Sequence, residues 1–93
     1  MARAKRVSPE DVEELTDLLS VMVENVVEKP DDINIVFNKT YSSIAFEFDC
    51  APGDEGFVIG ENGQTIRAIE RIMLVAGAAR HLSVSVRFRQ ERP

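Results

Sequence analysis

Apolar residues recur with two different periods along this chain of 93 residues. Val12, Leu15, Leu19, Met22, Val23 and Val26 repeat at the three-to-four spacing of one helix face. Glu13, Glu14, Asp17 and Glu24 fall mostly off that stripe. Ser8-Pro9-Glu10-Asp11 predicts the helix start: serine caps, proline suits the first helical position, and acids favour the positive end of the helix dipole. Pro30 predicts its end, and Asp31-Asp32 a turn. The period then becomes two. Ile33, Ile35 and Phe37 alternate with Asn34, Val36 and Asn38, and Ile44, Phe46, Phe48 and Cys50 alternate with Ala45, Glu47 and Asp49. The stretch from Asn38 to Ser42 between them reads as a hairpin loop. Ala51-Pro52-Gly53-Asp54 breaks the second strand. A short helix is expected from about Asp54 to Ile59 and a longer one from about Gln64 to Ala79. In the longer one Ile66, Ile69, Met73 and Ala76 share a face, with Arg67 and Arg71 opposite. Leu82, Val84, Val86 and Phe88 then alternate with Ser83, Ser85, Arg87 and Arg89 as a last strand.

The order is therefore helix, strand, strand, helix, helix, strand, and each strand is apolar on one side only. One sheet with helices on one face and solvent on the other satisfies that pattern, an α+β two-layer α/β sandwich. The hairpin makes the first two strands antiparallel. The helical pair before the third is long enough for a crossover, so a mixed three-stranded sheet is expected. Phe37, Phe46, Phe48 and Phe88 all fall on apolar sides and are assigned to the core. Residues 1–8 read as a flexible basic tail, 9–90 as a single domain and 91–93 as a C-terminal tail.

Composition adds little to this picture, with 44% hydrophobic and 29% charged residues. Cys50 has no second cysteine to pair with, which suits a reducing cytoplasm. The start MARAKRV leads into acidic residues and does not resemble a secretory signal. The longest apolar run, Ile72 to Ala79, is too short to span a bilayer. Charge matters more. The net value of −5 argues against a polyanionic partner, yet its distribution is uneven. Residues 9–56 hold thirteen acids against Lys29 and Lys39, whereas residues 57–93 hold six arginines against Glu61, Glu70 and Glu91. Arginine suits forked contact with phosphate. The acids from Glu10 to Glu28 read as a solvated helix face.

The basic half contains Val58-Ile59-Gly60-Glu61-Asn62-Gly63-Gln64-Thr65-Ile66, followed by Ile69. Gly60 can end a helix with positive φ. Gly63 lets the backbone approach a ligand with no Cβ in the way. The next helix starts at once, so its free N–H groups and positive dipole end face whatever sits on the turn. The stretch resembles the I-G-x-x-G-x-x-I signature of a KH domain. The element order is that of the type II form, and the chain as a whole resembles the small stand-alone KH RNA-binding proteins of bacteria.

That resemblance implies a non-catalytic module in which the turn clamps the backbone of about four nucleotides of single-stranded RNA. It assigns the clamp to Gly60, Glu61, Asn62, Gly63 and Gln64. It assigns an adjacent apolar groove to Val58, Ile59 and Ile66, with Arg67 adding a phosphate contact. Lys39 and Tyr41 of the hairpin loop would form the far lip. An RNA chaperone or a post-transcriptional or ribosome-associated factor is implied, with a homodimer or another KH protein as further partners. No cofactor, metal, membrane or small-molecule substrate is implied. Glu61 departs from the pattern, since family members often carry a cation at one tip position. At ~6 Å its repulsion of a phosphate amounts to about 0.7 kcal/mol in water. Two other readings stay open. The glycine pair can be a plain link between helices, and the fold can serve protein contact, for which Leu74 and Ala78 supply an apolar spot on the Arg67 face. An enzyme is disfavoured: no Walker-type loop is present, and no serine, cysteine or His81 has an evident activating partner.

Overall fold

The computed structural model describes residues 5–89. Helix α1 spans Pro9–Glu24, and strands β1 (Asn34–Lys39) and β2 (Ser43–Asp49) form a hairpin. Helices α2 (Glu55–Ile59) and α3 (Gln64–Ala79) follow, then strand β3 (Ser83–Phe88). The sheet order is β1-β2-β3, with β1 antiparallel and β3 parallel to the central β2. This is the mixed three-stranded sheet expected from the sequence. Its inner face carries Ile44, Phe46, Phe48 and Val84, and these pack on Leu15, Leu19 and Val23 of α1, Val58 of α2, and Ile69 and Met73 of α3. Burial of that set from both layers is the main stabilising term of the domain.

The start of α1 is fastened more tightly than its sequence suggests. The Ser8 hydroxyl accepts the Asp11 N–H at 3.1 Å, while the Asp11 carboxylate accepts the Ser8 N–H at 2.9 Å, a reciprocal capping box. Asp11 is buried and also receives the Lys5 ammonium at 3.0 Å, so one of the acids assigned to a solvated face is structural. The Ser8 backbone bond, helped by Lys5, outweighs burial and holds the Asp11 carboxyl below its ordinary 3.8. A carboxylate with a lowered native value stabilises the fold above the unfolded value and stops doing so as pH falls through the native one. Asp11→Asn should therefore cost about 1–2 kcal/mol at neutral pH. The gap in melting temperature between variant and parent should close below about pH 4, the unfolded range of an aspartate. A gap unchanged in acid would refute the assignment.

Three expectations need correction. The basic segment 1–8 is not all a free tail. Val7 is buried, its N–H donates to the Tyr41 carbonyl at 2.7 Å, and the Lys5 N–H donates to His81 O at 3.3 Å. Residues 1–4 of that segment and the tail at 91–93 lie outside the described residues. Helix α1 ends at Glu24 rather than at Pro30. The Asn25 amide nitrogen bonds back to Val21 O at 2.6 Å and closes the last turn, while Pro30 opens a separate 3-10 turn, Pro30–Asp32. Phe37 is 43% exposed. It sits on the core side of edge strand β1 and touches Phe46, with ring centroids 6.2 Å apart, but nothing covers its outer flank.

Candidate functional site

Between α2 and α3 the backbone takes three unusual conformations within four residues. Gly60 has φ 75° and ψ 174°, Asn62 has φ 56° and ψ 25°, and Gly63 has φ 76° and ψ 15°. Asparagine is among the few side chains that enter the left-handed region at low cost. The Gly60 N–H closes α2 onto Gly56 O at 2.8 Å, and the Gly63 N–H returns to Gly60 O at 3.1 Å. Residues Glu61–Gly63 form a single 3-10 turn, and α3 starts directly after it with no side chain capping its N-terminus. The first N–H of α3, that of Gln64, already returns to Glu61 O within the turn, so what the turn presents to solvent is the positive end of a 16-residue dipole.

The two glycines have different duties. A Cβ on Gly60 would stand 2.8 Å from the Thr65 Cβ and 2.9 Å from the Thr65 backbone nitrogen, so the bare backbone is needed for the turn to fold onto α3. A Cβ on Gly63 would meet only the far end of a side chain, the Arg67 Nη1 at 2.7 Å. That contact shows the Arg67 guanidinium already lying against the turn. Among the described residues Arg67 and Arg71 have no carboxylate at ion-pair distance, whereas Lys5, Arg80 and Arg89 are engaged by Asp11, Glu14 and the Glu47–Asp49 pair.

The predicted site residues divide accordingly. Gly60, Glu61, Asn62, Gly63, Gln64 and Arg67 come together at the turn, with Glu61, Asn62 and Gln64 exposed at its tip. Ile59 and Ile66 flank it half-buried and offer apolar surface. Val58 does not line a groove, because it is 0% exposed and belongs to the core. A helix of five residues has one inward face, and Val58 occupies it. Lys39 is not at the site either. Ser83, just past the end of α3, pairs with Ser43 of the hairpin, and its N–H donates to Ser42 O at 3.0 Å. The hairpin thus sits at the C-terminal end of α3, about 24 Å from the turn at 1.5 Å per residue. Phe57, to which the pattern assigned no role, is 46% exposed on α2 just ahead of the turn. Its position off the face of Val58 was the available signal.

Asp54 holds this unit to the rest of the fold. It is buried, its carboxylate accepts the Lys29 N–H at 3.0 Å, and its carbonyl accepts the N–H of Phe57 and Val58 at the start of α2. Cys50 lies nearby, and burial, ahead of repulsion from Glu55, pushes its thiol up to about 11. It is protonated and unreactive at neutral pH. Among the described residues no group of three His, Cys, Asp or Glu side chains is placed to hold a metal ion, and no helix is long and apolar enough to cross a membrane.

Comparison with known proteins is consistent with this geometry. The family model described as KhpA/KhpB, KH domain, matches residues 16–88, which contain the whole turn and all three strands. RNA-binding protein KhpA of Chlamydia trachomatis is 30% identical over 78 residues, covering 84% of this chain and 100% of that protein. The protein of the same name from Bacillus subtilis is 36% identical over 63 residues, covering 68% and 78%. That of Streptomyces coelicolor is 32% identical over 63 residues, covering 68% and 80%. No solved structure gives a significant match.

Proposed function

The chain belongs to the KhpA/KhpB KH-domain family, and from that premise we propose that it binds single-stranded RNA through the Gly60–Gly63 turn, without catalysis. The observation that carries this reading is the uncapped α3 N-terminus behind two left-handed residues, with the Arg67 guanidinium folded onto the turn. A phosphate seated there meets the dipole end and a forked cation together. Ile59 and Ile66 beside it offer a flat apolar wall to a base. Asn62, with its amide at the tip, supplies a donor. The similar proteins named RNA-binding protein KhpA support RNA as the ligand. The role is that of an RNA chaperone or a post-transcriptional or ribosome-associated factor, and the buried, protonated Cys50 suits a reducing cytoplasm.

An NMR titration with short single-stranded RNA, and with DNA of the same sequence, tests the proposal. Amide shifts should cluster on Ile59 to Arg67. Shifts elsewhere, or none at millimolar RNA, would remove the turn as the site.

A second reading concerns protein partners. Leu74 is 56% and Val75 62% exposed on the outer face of α3, beside Arg67, Glu70 and Arg71. An apolar strip flanked by both charge signs suits a self-complementary contact with a second copy or with another KH protein. The solution mass should then be twice 10.4 kDa and fall to the monomer value in Leu74→Asp. A monomeric parent at high concentration would exclude the homodimer.

A further inference from the structure

Helix α2 carries an aromatic ring that the fold does not use. Phe57 is 46% exposed, takes no part in the core cluster, and joins neither aromatic pair, Phe37–Phe46 nor Phe48–Phe88. A phenyl ring left in water forgoes the burial that ordinarily places it inside. Its direction is set by its neighbour. Val58 anchors α2 in the core, and Phe57 precedes it by one residue, so the ring leaves the helix about 100° from the buried side. Ile59 leaves it about 100° the other way. The two side chains therefore flank α2 on opposite sides. Ile59 belongs with Ile66 to the apolar wall already described, and Phe57 is a second apolar surface on the other flank.

The ring is also close to the turn. The Phe57 N–H donates to Asp54 O at 3.0 Å and the Gly60 N–H to Gly56 O at 2.8 Å, so helical geometry runs unbroken from Phe57 to Gly60. Residues three apart on a helix are neighbours, about 5–6 Å from each other. That is within about two nucleotides of strand at about 3.4 Å each. The approach is open, because a Cβ built on Gly53 or Gly56 meets nothing within 4 Å. Gly56 has neither a positive φ nor a crowded neighbour, so nothing inside the fold calls for glycine there. Its bare backbone leaves clear space beside the ring. Charge alone gives this chain little hold on a polyanion, with a net value of −5 and Glu61 at the tip. Stacking on an aromatic face adds affinity without needing a cation.

We propose that Phe57 is a stacking platform for one base of the bound strand, on the flank of the turn away from Ile59 and Ile66, and that it favours a purine at that position. This rests on the RNA reading of the turn and names part of what that site selects. A purine has the larger ring face, and preferences at stacking platforms follow stacking strength rather than hydrogen-bond readout.

The test uses the full chain with oligoadenylate and oligouridylate of about six nucleotides, the four of the clamp and two more. The chain contains no tryptophan, so Phe57→Trp installs a single indole reporter. Its emission should be quenched by oligoadenylate, and its affinity should equal or exceed the parent's. By fluorescence anisotropy Phe57→Ala should weaken oligoadenylate about fivefold or more, and oligouridylate by less. Phe57→Leu, apolar but not flat, should lose nearly as much. The salt slope should stay that of the parent in all three variants, since no charge changes, whereas Arg67→Gln should lower it by about 0.7. All three should melt close to the parent, because the ring lies outside the core. Unchanged affinity in Phe57→Ala, beside a weakened Arg67→Gln, overturns the platform and leaves the turn site standing. Full affinity in Phe57→Leu overturns it as well, because apolar area alone would then suffice. Equal losses for the two oligomers overturn the purine preference. No binding of either oligomer by the parent removes the turn reading and the platform with it. A dimeric parent that becomes monomeric in Phe57→Ala with its RNA affinity intact overturns the proposal and gives the ring to a protein contact.

Discussion

Gly60→Ala should lower the stability of the domain by about 3 kcal/mol, far more than Gly63→Ala at about 1 kcal/mol. The two glycines look equivalent in sequence, but their surroundings differ. Gly60 combines φ 75° with ψ 174°, a region that is essentially glycine-only, and a Cβ there would press on the Thr65 backbone and Cβ. Neither can move without displacing the first turn of α3. Gly63 is in the ordinary left-handed region, and only the Arg67 guanidinium stands in the way of its Cβ. That side chain can swing aside. For a chain of this size, 1 kcal/mol shifts the melting temperature by about 4–8 °C. Thermal unfolding followed by circular dichroism should therefore drop by about 12–24 °C for Gly60→Ala and by about 4–8 °C for Gly63→Ala. Equal losses would mean that the turn does not close on Thr65 as described. The difference also governs how binding is tested. Replacing both glycines by aspartate would confound folding with affinity. Asn62→Asp places the same negative charge at the turn at little cost to the fold, and Gly63→Asp does so at far less cost than a change at Gly60.

What the sequence reveals about this molecule depends on whether one local pattern decides the outcome. The span of α3 and the register-bearing alternation of β2 are legible because a single periodicity runs unbroken between glycine and proline punctuation. Ser8 announces the helix start for the same reason, but the return bond from Asp11 and its burial under Lys5 do not show in the local pattern. The end of α1 is not legible. The apolar stripe continues to Val26, but the helix closes at Asn25, whose side chain and backbone both turn back to Val21 O. Phe37 and Val58 were misassigned through neighbours the sequence does not display. Phe37 has the right alternation but stands on an edge strand, and Val58 has the right proximity to the turn but faces the core. Lys39 failed at a longer range. Its distance from the turn follows from the direction of α3 and from the parallel pairing of β3 with β2, neither of which local spacing encodes.

Glu61→Lys should raise RNA affinity about tenfold at low salt, the largest gain expected from any single change at the turn. Glu61 is exposed at the tip, so its field on a bound phosphate is that of a charge near water rather than a buried one. At ~6 Å one unit charge contributes about 0.7 kcal/mol in water. Reversing the sign removes one repulsion and adds one attraction, about 1.4 kcal/mol together, which is a factor of about ten. The partly desolvated contact between strand and turn can only enlarge this, since at an effective dielectric of 20 each unit is worth about 3 kcal/mol. A new cation on the phosphate track should also steepen the salt dependence by about 0.7 in log–log slope for a single strand. Asn62→Asp should act with the opposite sign, weakening binding several-fold. Its left-handed backbone suits aspartate nearly as well, so the fold stays intact. Both variants should melt close to the parent, because neither tip side chain packs on the core. Affinities measured at two salt concentrations for parent, Glu61→Lys and Asn62→Asp should therefore order by tip charge, and converge as salt rises. Identical affinities at low salt would show that the phosphate does not sit at the tip. The turn would then be a link between two helices and the RNA would be held elsewhere.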